Sequence, residues 1–219
     1  MKILLVLCCI CYTYLLYSET IEDLLKKSRQ LQNADKDDAA IQLLSQELSN
    51  SMDKALIKVF LGRLYLAKAA NSYNPWKKIK LAKTGIKYQD EAVMLEPDNI
   101  FVRLERYKDN MYLPIFMKRS EEGIKDIPIL IHMIETAKKD DLMRGFLLWD
   151  SFNQYSPKDP DDARIRVFLM QIVYYFAGDM YARKGEMSSA RSYMEKCSTL
   201  GFDMAFGIRA YSWLHAEEQ

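Results

Sequence analysis

The stretch YYFAGDMYARKGEMSSARSYMEKCSTLG, residues 174–201, decides the fold. Its apolar residues recur at helical spacing on both sides of Gly185, which predicts two helices joined by a tight turn. The small residues Gly178 and Ala190 allow these helices to approach closely in an antiparallel pair. Larger side chains fill the space around that contact, namely Tyr174, Tyr181 and Met194. The stretch therefore predicts a helical hairpin.

The helical period extends from Thr20 to the end of the chain, and no strand-like alternation interrupts it. Turn-forming residues divide it at 33–36, 74–75, 97–99 and 156–160. Only eight glycines and six prolines occur in 219 residues, which argues against a turn-rich β fold. The sequence therefore predicts an all-α chain of stacked antiparallel hairpins. Pro128 is expected either to kink one helix or to lie in its first turn.

The composition argues against several functions. Lys plus Arg is 31 and Asp plus Glu is 30, so the net charge of +1 does not indicate a nucleic-acid partner. The two histidines, His132 and His215, are far apart in sequence, and no nucleotide-binding, hydrolase or metalloprotease motif occurs. We therefore expect no catalytic residue, no metal site and no cofactor.

The N-terminus predicts export. Lys2 precedes an apolar run from Ile3 to Tyr17, which is the pattern of a secretory signal peptide. Removal of residues 1–18 leaves a single domain, 19–219, in the periplasm or outside the cell. Two alternatives stay open: lipidation at Cys8, or retention of the segment as a membrane anchor. We expect membrane association only in those two cases.

Residues 171–204 resemble a tetratricopeptide (TPR) repeat. The positions that carry the resemblance are Tyr174, Ala177, Gly178, Tyr181, Gly185, Ala190 and Met194. A second unit, 55–97, matches at Leu61, Gly62, Tyr65, Gly85, Ala92 and Pro97, but holds extra residues around Asn74-Pro75-Trp76. A third unit covers 21–54. The resemblance implies a right-handed TPR-like superhelix, an α-α solenoid, with a capping helix at 204–217.

The resemblance also implies a concave groove formed by the first helix of each pair. The groove positions that it assigns include Arg29, Asn33, Arg63, Tyr175, Asp179 and Arg183. The arginines suit a carboxylate-bearing peptide. The alternative for each residue is a solvated face or an ion pair between helices.

Two functions follow from these patterns. The first is a non-enzymatic, exported scaffold or adaptor that binds a protein or peptide in the cell envelope. The second is an apolar small-molecule binder or an accessory component of envelope transport. A pocket for the second is expected at Trp76, Tyr112, Phe116 and Met117. The partner and the oligomeric state stay open.

Overall fold

A computed structural model describes residues 20–152, 161–202 and 205–216. The predicted signal peptide lies outside these residues. The described part contains ten α-helices, one short 3₁₀ turn and no strand, which confirms the all-α class. The elements are α1 (Ile21–Asn33), α2 (Asp37–Glu47), α3 (Lys54–Ala70), α4 (Pro75–Leu95), α5 (Ile100–Tyr112), the 3₁₀ turn (Ile115–Met117), α6 (Arg119–Thr136), α7 (Lys139–Phe152), α8 (Asp162–Arg183), α9 (Met187–Thr199) and α10 (Ala205–His215).

Side-chain caps begin several helices at the breaks that the sequence predicts. The Thr20 hydroxyl oxygen accepts a hydrogen bond from the backbone N–H of Asp23 at 3.2 Å. The Asn74 side chain caps α4, whose first residue is proline, and the Asp161 side chain caps α8. Each cap satisfies backbone N–H groups that the first turn of a helix leaves without partners.

Pro128 lies in the interior of α6. The expectation that it lies in the first turn is therefore wrong, since the helix begins nine residues earlier at Arg119. Contacts with α5 hold the residues before Pro128 in helical form. The buried carboxylate of Asp126 accepts hydrogen bonds from Arg103 and Arg106 of α5, both with N–O distances of 2.7 Å.

Neighbouring helices pair along the chain: α1 with α2, α3 with α4, α5 with α6, and α8 with α9. The first members of these pairs also touch, α3 with α5 and α5 with α8, and α10 packs against α8 and α9. Helix α7 departs from this pattern, because it packs against α1, α5 and α8. It covers part of the face that the first helices share, and its Leu142, Phe146 and Trp149 are buried there.

Two glycines hold the α3–α4 hairpin together. A Cβ atom at Gly62 would lie 2.7 Å from the carbonyl oxygen of Gly85, and one at Gly85 would lie 2.6 Å from the carbonyl oxygen of Gly62. The two backbones are therefore in direct contact. Around them, the rings of Tyr65 and Tyr88 stack at 5.7 Å, and Lys58 pairs with Glu91.

No helix in the described part of the chain has the length and apolarity needed to cross a bilayer.

We predict that Gly85→Ala lowers the free energy of unfolding by about 2 kcal/mol. The added methyl group meets a backbone oxygen and Leu66 Cγ at 2.8 Å, so the helices must separate. The steric cost is about 3 kcal/mol, because replacing glycine with alanine in a helix by itself adds about 1 kcal/mol to the stability. Urea unfolding followed by circular dichroism measures the difference.

The matched control is Gly123→Ala in α6. There the added methyl group meets only the end of the flexible Met111 side chain, at 3.1 Å from Sδ. We expect a change within about 1 kcal/mol. Equal effects of the two substitutions would contradict a special role for the α3–α4 contact.

Candidate binding groove

An open concavity of about 580 Å³ lies between the α3–α4 hairpin and the segment that ends α5. We call it the main groove. Most of its lining is apolar: Leu66, Ala67, Ala69 and Ala70 of α3, Ile79 and Ala82 of α4, and Tyr112, Leu113, Pro114, Phe116 and Met117 beyond. Its polar lining residues are Gln32, Arg63, Lys78 and Asp109. The groove therefore suits an apolar group, with polar partners at a few points.

Exposed side chains form the outer edge of the main groove. Phe116 is 76% exposed, Tyr112 is 56% exposed and Ile115 is 50% exposed. The 3₁₀ turn presents Phe116 because Pro114 precedes it, and Lys118 ends it in the left-handed region at φ 56°. Large apolar side chains at the edge of an apolar concavity are typical of a binding surface.

A smaller concavity of about 190 Å³ adjoins the main groove. We call it the inner recess. The two share the lining residues Arg63, Asp109 and Tyr112. The remaining lining of the inner recess is largely aromatic and cationic: Lys108, Trp149, Ile172, Phe176, Phe206 and Arg209.

A buried carboxylate, Glu105, lies beside Arg63 and Lys108 of the inner recess. Glu105 has no exposed side-chain surface, and it accepts hydrogen bonds from Trp149 Nε1 at 2.5 Å and Lys108 Nζ at 2.7 Å. Arg63 Nη1 lies 3.4 Å from its second oxygen. Burial by itself raises the pKa of Glu105, but Lys108 and Arg63 outweigh that effect and the pKa is lowered. We call Arg63, Glu105, Lys108 and Trp149 the Glu105 cluster.

Asp109 lies one helical turn beyond Glu105 and behaves differently. Burial, and then the neighbouring negative charge of Glu105, raise the pKa of Asp109 to about 6, although Arg63 and Lys108 oppose the shift. Gln89 of α4 donates a hydrogen bond to one of its oxygens. Arg63 and Lys108 offset these effects only in part, so Asp109 remains easier to protonate than an ordinary aspartate.

The groove residues expected from the sequence lie in different surroundings. Arg63 lines both concavities. Arg183 Nε bonds Asp179 at 3.0 Å, its Nη2 donates to the carbonyl oxygen of Met111, and its guanidinium lies 5.5 Å from the centre of the Tyr112 ring. Arg183 therefore holds Tyr112 at the boundary of the two concavities.

The other three expected groove residues lie elsewhere. Tyr175 is partly buried and packs against Phe206, with ring centres 5.3 Å apart. Arg29 and Asn33 are on α1, partly buried and exposed respectively, and neither lines the main groove. The structure thus brings together Arg63, Asp179 and Arg183 around Tyr112, and leaves the α1 residues apart.

Three of the four expected pocket residues, Tyr112, Phe116 and Met117, line the main groove. Trp76 does not, and its side chain is 82% exposed. On α4 it lies about a sixth of a turn from Ile79 and about a third of a turn from Ala82, which places it beside the face that lines the groove.

The Glu105 cluster and Asp109 were not among the residues predicted from the sequence. One signal was present. Glu105 lies four residues after Phe101, and Lys108 lies four after Leu104, so both charged residues share one face of α5 with buried apolar residues. Charged residues on the buried face of a helix indicate a polar site inside the fold.

Comparison with protein-family models, with curated proteins and with solved structures finds no match to this chain.

We predict that Asp109→Asn changes how stability depends on pH. The pKa of Asp109 is about 6, above the usual value of 3.8, so the folded state binds this proton more tightly than the unfolded state. Ionisation of Asp109 therefore lowers the free energy of unfolding as the pH rises from about 4 through about 6. The variant lacks this loss. Its free energy of unfolding relative to the wild type should therefore be about 1–3 kcal/mol higher at pH about 7.5 than at pH about 4.

Urea unfolding of both proteins at the two pH values measures this gain. Gln30→Ala, at an exposed position of α1 with no ionisable side chain, is the control and should differ from the wild type by the same amount at both. A constant difference for Asp109→Asn would contradict the raised pKa.

Proposed function

We propose that this chain is a non-enzymatic, TPR-like helical-repeat protein that binds a protein partner through the main groove. The observation that carries the proposal is the groove itself, an apolar concavity of about 580 Å³ with exposed aromatic side chains at its edge. A partner inserts an apolar side chain between Ala70, Ile79 and Phe116. Interfaces gain most of their affinity from a few such anchors in apolar pockets.

Helix pairing supports the repeat interpretation. The pairs α1–α2, α3–α4 and α8–α9 overlap the repeat units 21–54, 55–97 and 171–204, although α8 begins nine residues before the last unit. In the last pair, a Cβ atom at Gly178 would lie 3.0 Å from Met194, the close approach that the resemblance implies. α10, in the place of the expected cap, covers the end of this pair.

The Arg63 and Arg183 contacts change how the groove is expected to work. Both guanidinium groups bond acceptors of this same chain, Glu105 for Arg63 and Asp179 and Met111 for Arg183. They therefore shape the groove, and the apolar lining supplies the affinity. Charge reversal at either position would disturb the fold, so a test of binding needs a different residue.

Chemical reactivity at the one cysteine in the described residues is suppressed. Burial raises the pKa of the Cys197 thiol to about 12, which keeps it neutral and a poor nucleophile. Export is proposed from the apolar run Ile3–Tyr17, and separation of the periplasmic from the cytoplasmic fraction of the native host tests it.

We predict that Ala70→Trp abolishes partner binding. Ala70 is exposed at the end of α3 and lines the main groove, so an indole there fills the concavity without disturbing the core. Crosslinked capture from the native host, with the chain tagged at its C-terminus, should recover a partner with the wild type. Recovery with Ala70→Trp should fall by about 30-fold or more, the loss expected for a central anchor.

The control is Ala39→Trp, at an exposed position of α2 outside the groove. It should capture the same partner as the wild type. Equal recovery by all three proteins would contradict the groove as the binding surface.

A second candidate is a carrier of an apolar small molecule. The size of the main groove favours it, because about 580 Å³ falls within the range of small-molecule sites. Native mass spectrometry of the chain purified from its host distinguishes the two. A bound molecule that Ala70→Trp excludes, with no captured protein, would replace the scaffold proposal by the carrier.

A further inference from the structure

The basic residues of this chain are unevenly distributed. Residues 54–89, which contain α3 and most of α4, hold nine lysines and arginines and no acidic residue. The whole chain has 31 basic and 30 acidic residues, so the remainder holds 22 basic and 30 acidic ones. A net charge near zero therefore conceals a strongly basic hairpin in an acidic protein.

Several of these charges share one exposed line along α4. Trp76, Lys80, Lys83 and Lys87 are spaced by four, three and four residues, which places them in one row on a helix. All four are exposed. The opposite side of α4 packs against α3 through Gly85 and its neighbours. We call the four residues the basic row.

Among the described residues, the basic row takes part in one salt bridge, between Lys87 and Glu91. Within the described residues, Lys80 and Lys83 form no salt bridge. Lys87 has only a distant one, 3.7 Å to Glu91. Lys77 and Lys78, at the start of α4, form no salt bridge within the described residues either. The positive charge is thus available to a partner.

Two aromatic side chains project at the end of the row. Tyr73, in the α3–α4 connection, is fully exposed, and Trp76 is 82% exposed. Trp149 is buried and Trp213 is partly buried, so Trp76 is the most exposed tryptophan. Tyrosine and tryptophan prefer the interface between lipid headgroups and acyl chains, where the ring is in apolar surroundings and its polar atom is hydrated.

We propose that the basic row, with Tyr73, docks on an anionic lipid membrane. The lysines contact phosphate-bearing headgroups, and the two aromatic rings enter the interfacial layer. Lysines beside interfacial aromatic residues match an anionic bilayer in charge and in apolarity. An acidic protein would instead need pockets for its anchors, whereas the groove at this hairpin lies on another side of α4, at Lys78, Ile79 and Ala82.

The test measures binding of the full chain to vesicles by flotation. One set of vesicles contains phosphatidylcholine alone and the other contains three parts of it to one part of phosphatidylglycerol. Each lysine near an anionic surface strengthens binding about fivefold, so Lys80→Gln, Lys83→Gln and Lys87→Gln together should weaken binding to the anionic vesicles about 100-fold. The N-terminal apolar run is the same in wild type and variant, so it does not contribute to this difference.

A matched variant removes three exposed basic residues elsewhere: Lys138→Gln, Lys139→Gln and Arg144→Gln. It should bind the anionic vesicles like the wild type. Blue-shifted tryptophan fluorescence on binding, absent in Trp76→Phe, would place Trp76 in the bilayer. Equal loss in both triple variants, or unchanged binding of the Lys80, Lys83 and Lys87 variant, would overturn the proposal.

Binding of the row to an acidic polypeptide such as polyglutamate, without binding to the anionic vesicles, would also overturn the proposal. The result of the vesicle experiment is independent of the result of partner capture at the main groove. Ala70→Trp alters partner capture and leaves the basic row intact, whereas the lysine variant alters vesicle binding and leaves the groove intact.

Discussion

The buried carboxylate of Glu105 is the constraint on which the centre of the structure depends. A carboxylate removed from water is stable only when hydrogen-bond donors and positive charges surround it. Here they come from three helices: Arg63 of α3, Lys108 of α5 and Trp149 of α7. These helices must therefore converge on one point, although they are distant in the chain.

The position of α7 follows from this convergence. Trp149 reaches Glu105 only if α7 lies on the face that α1, α5 and α8 share. There its apolar residues complete the core, with Trp149 against Phe146 and Phe168 at ring-centre distances of 6.0 and 6.1 Å. A chain of simple stacked hairpins would leave that face open. In this protein the main groove is the part that stays accessible, beside the α3–α4 hairpin.

The same cluster sets the chemistry at the base of the groove. Lys108 and Arg63 keep Glu105 ionised by lowering its pKa. Burial and the negative charge of Glu105 then raise the pKa of Asp109 to about 6. The Arg63 guanidinium already bonds Glu105, so the lining that the groove offers a partner is mainly apolar. This is why the proposed function relies on Ala70, Ile79 and Phe116, and why Arg63 acts through the fold.

The sequence predicted local structure well. Helical period and turn residues located the helices, and Thr20, Asn74 and Asp161 mark starts that depend only on neighbouring residues. Pro128 was harder, because contacts between α5 and α6 override its tendency to end a helix.

The candidate site was predictable only in part. Tyr112, Phe116 and Met117 are close in the chain, so one irregular segment brings all three to the groove. The bond between Glu105 and Trp149 joins residues 44 positions apart and leaves no periodic trace in the sequence. The basic hairpin was visible in residues 54–89, but a balanced total charge concealed it. Its significance depends on which lysines are exposed, and that is a property of the fold.

Site-specific photocrosslinking in the native host tests most directly whether a partner binds in the main groove. A photoreactive benzoyl-phenylalanine replaces Phe116, which is 76% exposed at the edge of the groove, and in a second protein replaces Met52, which is 96% exposed away from it. We expect one discrete crosslinked protein from position 116 and none from position 52. The absence of any adduct at 116, or the same adduct from both positions, would contradict this expectation.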